Sequence, residues 1–186
     1  YTDSKIAAEN LVKNSGIPYV IIRPGCIYGP RGEGWTIGVI KQIKCGFKLL
    51  GNDAGLINLS FIDNFIDGLW RVIISEDALN NIFNLNDGIV VSYHEFYTRF
   101  ARMLGINNLP KIPEWRVRLS RSLVFTALRI LLRKPTMKTY ATHFRFNRSK
   151  FSIVKARNIL NYNPLIGFNE GIYLTEKWLK EESYLD

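Results

Sequence analysis

The chain has 186 residues, of which 47% are hydrophobic and 13% aromatic, and this composition is typical of a folded domain and not of a disordered segment. No run of about 18 apolar residues occurs, so no membrane-spanning helix is expected. The two cysteines, Cys26 and Cys45, stand at no metal-binding or redox spacing, which favours a reduced, cytoplasmic setting.

The net charge of +9 is unevenly distributed, because residues 111–157 are rich in Lys and Arg and contain one acid, Glu114. Such a basic patch suits phosphates, nucleic acid or an anionic membrane, and it also occurs as a solvated face or as the mate of an acidic partner. The stretch contains no recognised nucleic-acid motif and few interleaved aromatic residues. No nucleic-acid partner is therefore predicted.

The first element along the chain is a helix over residues 3–14, which has apolar residues at helical spacing and ends at an Asn-Ser-Gly breaker. A β-branched run at 19–25 predicts a strand buried on both faces, as in parallel sheets. The Gly- and Pro-rich segment 26–35 predicts a loop. Beyond it the pattern predicts helices over 36–44, 63–75 (capped by Asp63), 93–105 (capped by Ser92), 115–134, 153–160 and 168–182, and strands near 47–50, 57–62 and 81–86.

The alternation of strands and helices predicts an α/β fold with a parallel sheet. Only two or three of the strands are apolar enough to be buried, which is too few for a doubly wound sheet. We therefore expect the remaining strands to lie upstream of Tyr1.

The opening segment YTDSK places a tyrosine and a lysine four residues apart at the head of the first helix. Positions i and i+4 share a helix face, so the Tyr1 phenol and the Lys5 ammonium are expected to point the same way. A cation close to a phenol favours the phenolate, which makes the two residues a candidate proton-transfer pair. The spacing is common, however, and taken alone an ordinary exposed helix start is the simpler explanation.

Five segments in chain order resemble the second half of an extended short-chain dehydrogenase/reductase, of the NAD-dependent epimerase/dehydratase and 3-beta-hydroxysteroid-dehydrogenase-like group. YTDSK resembles the catalytic Y-x-x-x-K of the family, and IIRPGCIYGPR resembles the strand and loop that follow it. The other three segments are LSFIDNFIDGL, IFNLNDGIVVSYHEF and VKARNILNYNPLIGFNEGI. Each match is weak to moderate by itself, but their order across nearly the whole chain makes the resemblance specific.

The resemblance implies that residues 1–186 are the C-terminal part of one such domain. That part combines the end of a Rossmann-like parallel sheet with a small, mostly helical substrate lobe, which takes up most of 106–160. The glycine-rich turn that binds the cofactor pyrophosphate belongs to the first strand–helix unit of this fold, and no G-x-x-G-x-x-G occurs here. The catalytic Ser or Thr that precedes the tyrosine in the family is absent as well. We therefore expect the N-terminal nucleotide-binding half to be missing and this fragment alone to be inactive.

The resemblance also implies a cofactor, NAD or NADP, and the residues that meet it. Tyr1 would exchange a proton with a substrate hydroxyl or carbonyl. Lys5 would assist Tyr1 and bind the nicotinamide ribose. Pro24 would lie along the nicotinamide ring, and the backbone around Ile27 would meet its carboxamide.

Two residues of the YGPR stretch, Tyr28 and Arg31, are predicted to bind the small-molecule substrate, with packing as the alternative role for Tyr28. The basic charge of Arg31 would suit a phosphate group. No metal site is predicted, because His94 and His143 have no carboxylate or thiolate partner at ligand spacing.

The substrate class is indicated by departures from the sugar-nucleotide enzymes. Many of those carry an Arg six residues before the first Asp of the V-D-D/N segment, where this chain has Ile57. The stretch at 133–141 also resembles steroid-dehydrogenase-like members. We therefore predict NAD(P)-dependent oxidoreduction at a carbinol or carbonyl carbon. A nucleotide-sugar epimerase or dehydratase is the alternative, and a non-catalytic dinucleotide-sensing protein is the alternative from another class.

The segment 115–134 predicts an amphipathic helix with a basic side and a wide apolar side. We expect its apolar side to line a lipophilic substrate site and its basic side to make weak contact with an anionic membrane surface. An ordinary substrate-lobe helix that covers a pocket would show the same pattern. A homodimer through the helix that carries Tyr1 is a further expectation from the family.

Overall fold

The computed structural model describes residues 1–51, 55–113, 115 and 147–186. The predicted helix 115–134, apart from Trp115, lies outside these residues, as does the stretch 133–141. In chain order the elements are α1 (Thr2–Lys13), β1 (Val20–Pro24), β2 (Cys26–Tyr28), a π-helix (Glu33–Ile37), α2 (Gly38–Lys44), β3 (Leu49–Leu50), β4 (Leu56–Phe61), α3 (Ile62–Ile74), a 3-10 turn (Glu76–Ala78), β5 (Asn81–Leu85), β6 (Val90–Ser92), α4 (Tyr93–Met103), β7 (Lys111–Ile112), α5 (Val154–Leu160) and α6 (Phe168–Glu181).

The chain divides into two compact units that alternate along the sequence, so neither unit is one continuous segment. The first unit comprises Tyr1–Tyr28, Asn58–Ile89 and Phe151–Gly171. The second comprises Gly29–Ile57, Val90–Lys150 and Ile172–Asp186. The predicted substrate lobe over 106–160 includes residues of both units, and its boundaries stay a prediction.

Two pairs of parallel strands in the first unit confirm the predicted α/β class. β1 pairs in parallel with β5, so that Pro24 lies opposite Leu85. β2 pairs in parallel with β4, and Ile27 lies opposite Ser60. Because paired parallel strands end at the same edge, the residues that follow β1 and β5 meet there, and ligands of α/β proteins bind at such edges.

The core of the first unit forms around β5. Phe83 and Leu85 of this strand are fully buried. Burial of one such side chain contributes about 1.5–3 kcal/mol to stability. They pack in one cluster with residues of α3, α5 and the segments beside them: Val72, Ala78, Ile153, Ala156, Leu160 and Tyr162.

β1 is covered less completely than its apolar sequence predicts. Val20 and Ile22 pack against the core cluster as partly buried residues. Arg23 and Pro24, at the carboxyl end of the strand, are exposed. The prediction of a strand buried on both faces is therefore wrong for this end, where the Arg23 guanidinium pairs with Glu9 and stays 54% exposed.

A short strand, β2, replaces the loop that the sequence predicts from Cys26 onward. The preceding Gly25 allows it, because a Cβ atom at this position would lie 2.5 Å from the Asn58 carbonyl oxygen and 3.0 Å from the Asn86 Cβ. A glycine lets the segment approach β4 closely enough to pair with it. A three-residue strand that depends on such a contact leaves no periodic pattern in the sequence.

The start of α3 differs from the prediction. The helix begins at Ile62, with Phe61 as its N-cap and without a side-chain cap, so the predicted capping by Asp63 is wrong. Asp63 lies in the first turn, where a carboxylate faces the positive end of the helix dipole. The Phe61 N–H instead donates to the carboxylate of Asp87, at 3.0 Å from each oxygen.

The second unit contains the π-helix, α2, α4 and the parallel pair β3–β7. The helix predicted from residue 36 begins earlier, as a π-helix, and continues as α2. The predicted cap of α4 is confirmed, because the Glu95 N–H donates to Ser92 Oγ at 3.0 Å. None of the described helices is both long and apolar enough to cross a membrane.

Candidate active site

The head of α1 brings Tyr1 and Lys5 together. Tyr1 is the N-cap residue, and its carbonyl oxygen accepts hydrogen bonds from the Lys5 N–H at 3.0 Å and from the Ser4 hydroxyl at 2.7 Å. The Lys5 Nζ lies 5.5 Å from the centroid of the Tyr1 ring, which is within the range of cation–π attraction. Tyr1 as a residue is 77% exposed in the described chain. The shared helix face is thus as the spacing predicts, and the catalytic roles stay predictions.

An ion pair that the sequence analysis missed joins α1 to β1. The Arg23 guanidinium donates to Glu9 through two nitrogens, from Nε to Oε2 at 3.0 Å and from Nη2 to Oε1 at 2.5 Å. The pKa of Glu9 is lowered, first by the hydrogen bond from Arg23 and further by the charges of Arg23 and Lys13, against an opposing effect of desolvation. The sequence contains no local signal for this pair, because its two residues are 14 positions apart and meet only in the folded chain.

The two residues predicted to meet the nicotinamide lie on neighbouring segments of the first unit. Pro24 is the last residue of β1, and the Gly25 N–H after it donates to the Leu85 carbonyl at 2.9 Å, which continues the ladder with β5. Ile27 is the middle residue of β2 and is half-buried. Both lie at or beyond the carboxyl end of β1, where α/β proteins bind ligands. Their cofactor contacts stay predictions.

Tyr28 is fully buried in the first unit. Its ring centroid lies 5.4 Å from that of Phe61, edge-on, and 6.3 Å from that of Phe168. Burial, followed by the negative charge of Asp87, raises the pKa of the phenol. These contacts support the packing alternative, and the substrate role of Tyr28 stays a prediction.

Arg31 lies in the second unit, in a loop with an unusual backbone. Its φ of 61° is in the left-handed region, which costs a non-glycine residue of the order of 1–3 kcal/mol. The loop is closed by Thr36, whose buried hydroxyl accepts from the Gly29 N–H at 3.0 Å and donates to the Gly29 carbonyl at 2.9 Å. The side chain of Arg31 is exposed. Strain of this kind occurs at functional sites, but Asn80, Asn161 and Ser183 share the positive φ, and the substrate role of Arg31 stays a prediction.

A buried polar cluster of the first unit was also missed. The carboxylate of Asp87 accepts from the Phe61 N–H and, at 2.8 Å, from Asn64 Nδ2. The Asn64 side chain also accepts from the Leu165 and Ile166 N–H groups at 3.1 and 3.0 Å. Asn64 belongs to the IDN segment, so the motif match was the available signal. The cluster fixes the end of β4 relative to the segment after β5, and it is structural.

Asp87 implies a pH dependence of stability. Burial raises its pKa from 3.8 to about 6, although the hydrogen bonds from Asn64 and Phe61 act in the opposite direction. Because the folded state binds this proton more tightly than the unfolded chain, the stability that Asp87 contributes is fully present below about pH 4 and is lost as the pH rises through 6. Between about pH 4.5 and 6, wild type should lose about 1.5 kcal/mol more unfolding free energy than Asp87→Asn, which keeps an acceptor oxygen. Urea unfolding across this range measures the difference, and parallel profiles would contradict the prediction.

The histidines do not form a metal site in the described part of the chain. His94 lies half-buried on α4, and His143 lies outside the described residues. Among the residues that the structure describes, no group of three His, Cys, Asp or Glu side chains is arranged to hold a metal ion.

Comparison with known proteins finds sequence similarity to NAD-binding proteins and to dehydrogenases. A protein-family model of the NAD-binding type, described as male sterility protein, matches residues 1–58. Sterol-4-alpha-carboxylate 3-dehydrogenase (decarboxylating) of Schizosaccharomyces pombe is 23% identical over 98% of this chain and 57% of its own length. A 3-beta-hydroxysteroid dehydrogenase of Mycolicibacterium neoaurum is 26% identical over 89% of this chain and 48% of its own length. The chain thus spans about half the length of these curated relatives.

A solved structure shows the same fold. UDP-glucuronic acid 4-epimerase of Bacillus cereus, in complex with UDP-glucuronic acid and NAD, superposes with a TM-score of 0.63 and 17% identity, over 96% of this chain and 50% of the epimerase. Parallel strands flanked by helices, with the Tyr–Lys pair before β1, define the class as a Rossmann-like α/β protein. In sequence the chain is similar to the NAD-binding family model over residues 1–58 and to the two dehydrogenases named above.

Proposed function

We propose that this chain contributes the Tyr–Lys pair and the substrate-side portion of an NAD(P)-dependent oxidoreductase that acts at a carbinol or carbonyl carbon. The observation that carries the proposal is the Lys5 ammonium 5.5 Å from the ring centroid of an exposed Tyr1. The likeness to steroid and sterol dehydrogenases over about half their length supports it. In the whole protein, an N-terminal half would supply the rest of the dinucleotide site.

The residues of the first unit fit the nicotinamide end of such a cofactor. A phenol and an ammonium on one exposed helix face offer donors for a ribose hydroxyl and for a substrate oxygen. When bound, the dinucleotide supplies the hydride acceptor or donor. During alcohol oxidation, Tyr1 Oη takes the proton of the substrate hydroxyl, and during carbonyl reduction it returns a proton to the oxygen. Lys5 stabilises the negative charge that Tyr1 carries in one of these states.

The substrate that we propose is a lipophilic, steroid-like alcohol or ketone. Ile57 replaces the Arg that many sugar-nucleotide enzymes use for the diphosphate, and its side chain is only 2% exposed. A buried apolar side chain at this position offers no charge to a diphosphate. An epimerase that acts on a nucleotide sugar remains the second candidate, because enzymes of that type share the fold.

A dehydrogenase assay of the whole protein tests the proposal. NAD or NADP would be offered with a 3-beta-hydroxysteroid, and separately UDP-glucose would be offered with NAD. Cofactor reduction by the steroid is the expected result. Epimerisation of UDP-glucose without steroid turnover would favour the second candidate. Dinucleotide binding without turnover of either compound would contradict both and favour a sensing protein.

Arg31 allows a test of the predicted substrate loop. Arg31→Gly is expected to change stability by no more than about 1 kcal/mol, since glycine accepts the left-handed backbone without strain but is more flexible when unfolded. If Arg31 binds the substrate, the same variant raises KM several-fold with little change in kcat. Arg31→Ala serves as the matched control, because it removes the guanidinium and keeps the strain. An unchanged KM in both variants would contradict the binding role.

A further inference from the structure

We propose that Arg23 is a positioning residue for the Tyr1–Lys5 pair. By holding the carboxylate of Glu9 in a two-point ion pair, Arg23 keeps that negative charge from competing with Tyr1 for the Lys5 ammonium. The inference rests on the proposed function, because it concerns the pair that carries the chemistry.

The ion pair has the geometry of a directed clamp. Both Glu9 oxygens are engaged, by Nε at 3.0 Å and by Nη2 at 2.5 Å, and this fork-to-fork arrangement fixes the direction of the carboxylate. The Glu9 side chain is 19% exposed, so it is shielded more than its partner at 54%. Fourteen residues separate the two, so the clamp is a tertiary contact and not a helix pair.

Without Arg23, the helix itself would redirect Glu9. Lys5 stands four residues before Glu9 and Lys13 four residues after it, so all three lie on one face of α1. Helical side chains lean toward the N-terminus, which directs a released Glu9 carboxylate toward Lys5. The Lys5 ammonium lies over the Tyr1 ring. It would then be attracted to the Glu9 carboxylate as well as to Tyr1.

The charged groups around Glu9 come from two elements. On α1 the other charged side chains are Asp3, Lys5 and Lys13, and on β1 the one charged side chain is Arg23. β5, which pairs with β1, carries no ionisable side chain. Of the charged side chains on these strands, Arg23 is therefore the one that neutralises Glu9.

The test is the pH profile of kcat/KM for alcohol oxidation by the whole protein. Oxidation requires an unprotonated Tyr1, and a freed carboxylate one helical turn from Lys5 disfavours that state. Arg23→Gln should therefore move the rising limb by roughly half a pH unit to higher pH, from the Coulomb energy of an exposed pair. Arg23→Gln combined with Glu9→Gln should return the limb to the wild-type position, because it removes the competing charge. Arg23→Lys keeps the positive charge and should return the limb most of the way to its wild-type position.

Two controls accompany these variants. Lys180→Gln removes the cation of another surface ion pair, Lys180–Glu176 at 2.6 Å, and should leave the profile unchanged. Thermal unfolding of each variant detects loss of structure. An unmoved limb in Arg23→Gln, or a double variant displaced as far as the single one, would overturn the inference. Full activity of Tyr1→Phe would instead overturn the proposed function.

Discussion

Replacement of Tyr1 by phenylalanine is expected to lower kcat and kcat/KM of the whole protein together, by a factor of roughly 10²–10⁴, the range for loss of a general acid or base. The phenol oxygen is the only atom removed, and the ring that Lys5 faces is kept. Dinucleotide affinity, measured by fluorescence titration with NADH, should therefore change little. Both rate constants fall because the missing proton transfer occurs in the transition state and not in substrate binding.

A matched control for this variant is Tyr173→Phe. Tyr173 is 65% exposed, close to the 77% of Tyr1, and its replacement by Phe removes the same phenol oxygen. It should leave both rate constants unchanged. A Tyr1→Phe enzyme with wild-type turnover would show that another group transfers the proton. Loss of NADH binding in Tyr1→Phe would make this residue a binding group and not the acid.

The features that the sequence predicted correctly are those fixed by neighbouring residues. α1 and the start of α4 were predicted from apolar spacing and from the Ser92 cap, which are local properties. β1 was predicted because its β-branched residues form a continuous run, and β5 was predicted from the short segment NIFNLN, which contains Ile82 and Phe83. Their parallel pairing also agrees with the prediction.

The features that the sequence did not predict depend on residues far apart in the chain. β2 requires the close approach of Gly25 to Asn58, which no pattern within residues 26–35 contains. The candidate site shows the same division. Tyr1 and Lys5 were found because they are four residues apart on one helix, whereas the Glu9–Arg23 clamp depends on the docking of α1 on β1. Asp63 and Asn64 are adjacent, and only the buried partners of Asn64 distinguish their roles.

Gly171→Ala is expected to destabilise the protein by about 3 kcal/mol, the upper part of the range for overpacking a rigid core. A Cβ atom at this position would lie 2.4 Å from Tyr28 Oη and 3.0 Å from Phe61 Cδ2. Tyr28 is fully buried against Phe61 and Phe168, so its ring has no room to move away. Gly34→Ala is the matched control, because Gly34 is also helical and a Cβ there meets no atom within 4 Å. Urea unfolding measures both variants.

A double-mutant cycle tests whether Tyr28 causes the destabilisation expected for Gly171→Ala. Tyr28→Phe removes the oxygen that the new methyl group would strike, so the double variant with Gly171→Ala should be more stable than the sum of the single changes predicts. We expect a favourable coupling of about 1 kcal/mol, because the contact with Phe61 remains. Additive effects would mean that the Tyr28 hydroxyl moves away from the new methyl group without a loss of stability. Tyr28 would then have the freedom to turn toward a substrate, and the packing role that its burial supports would be wrong.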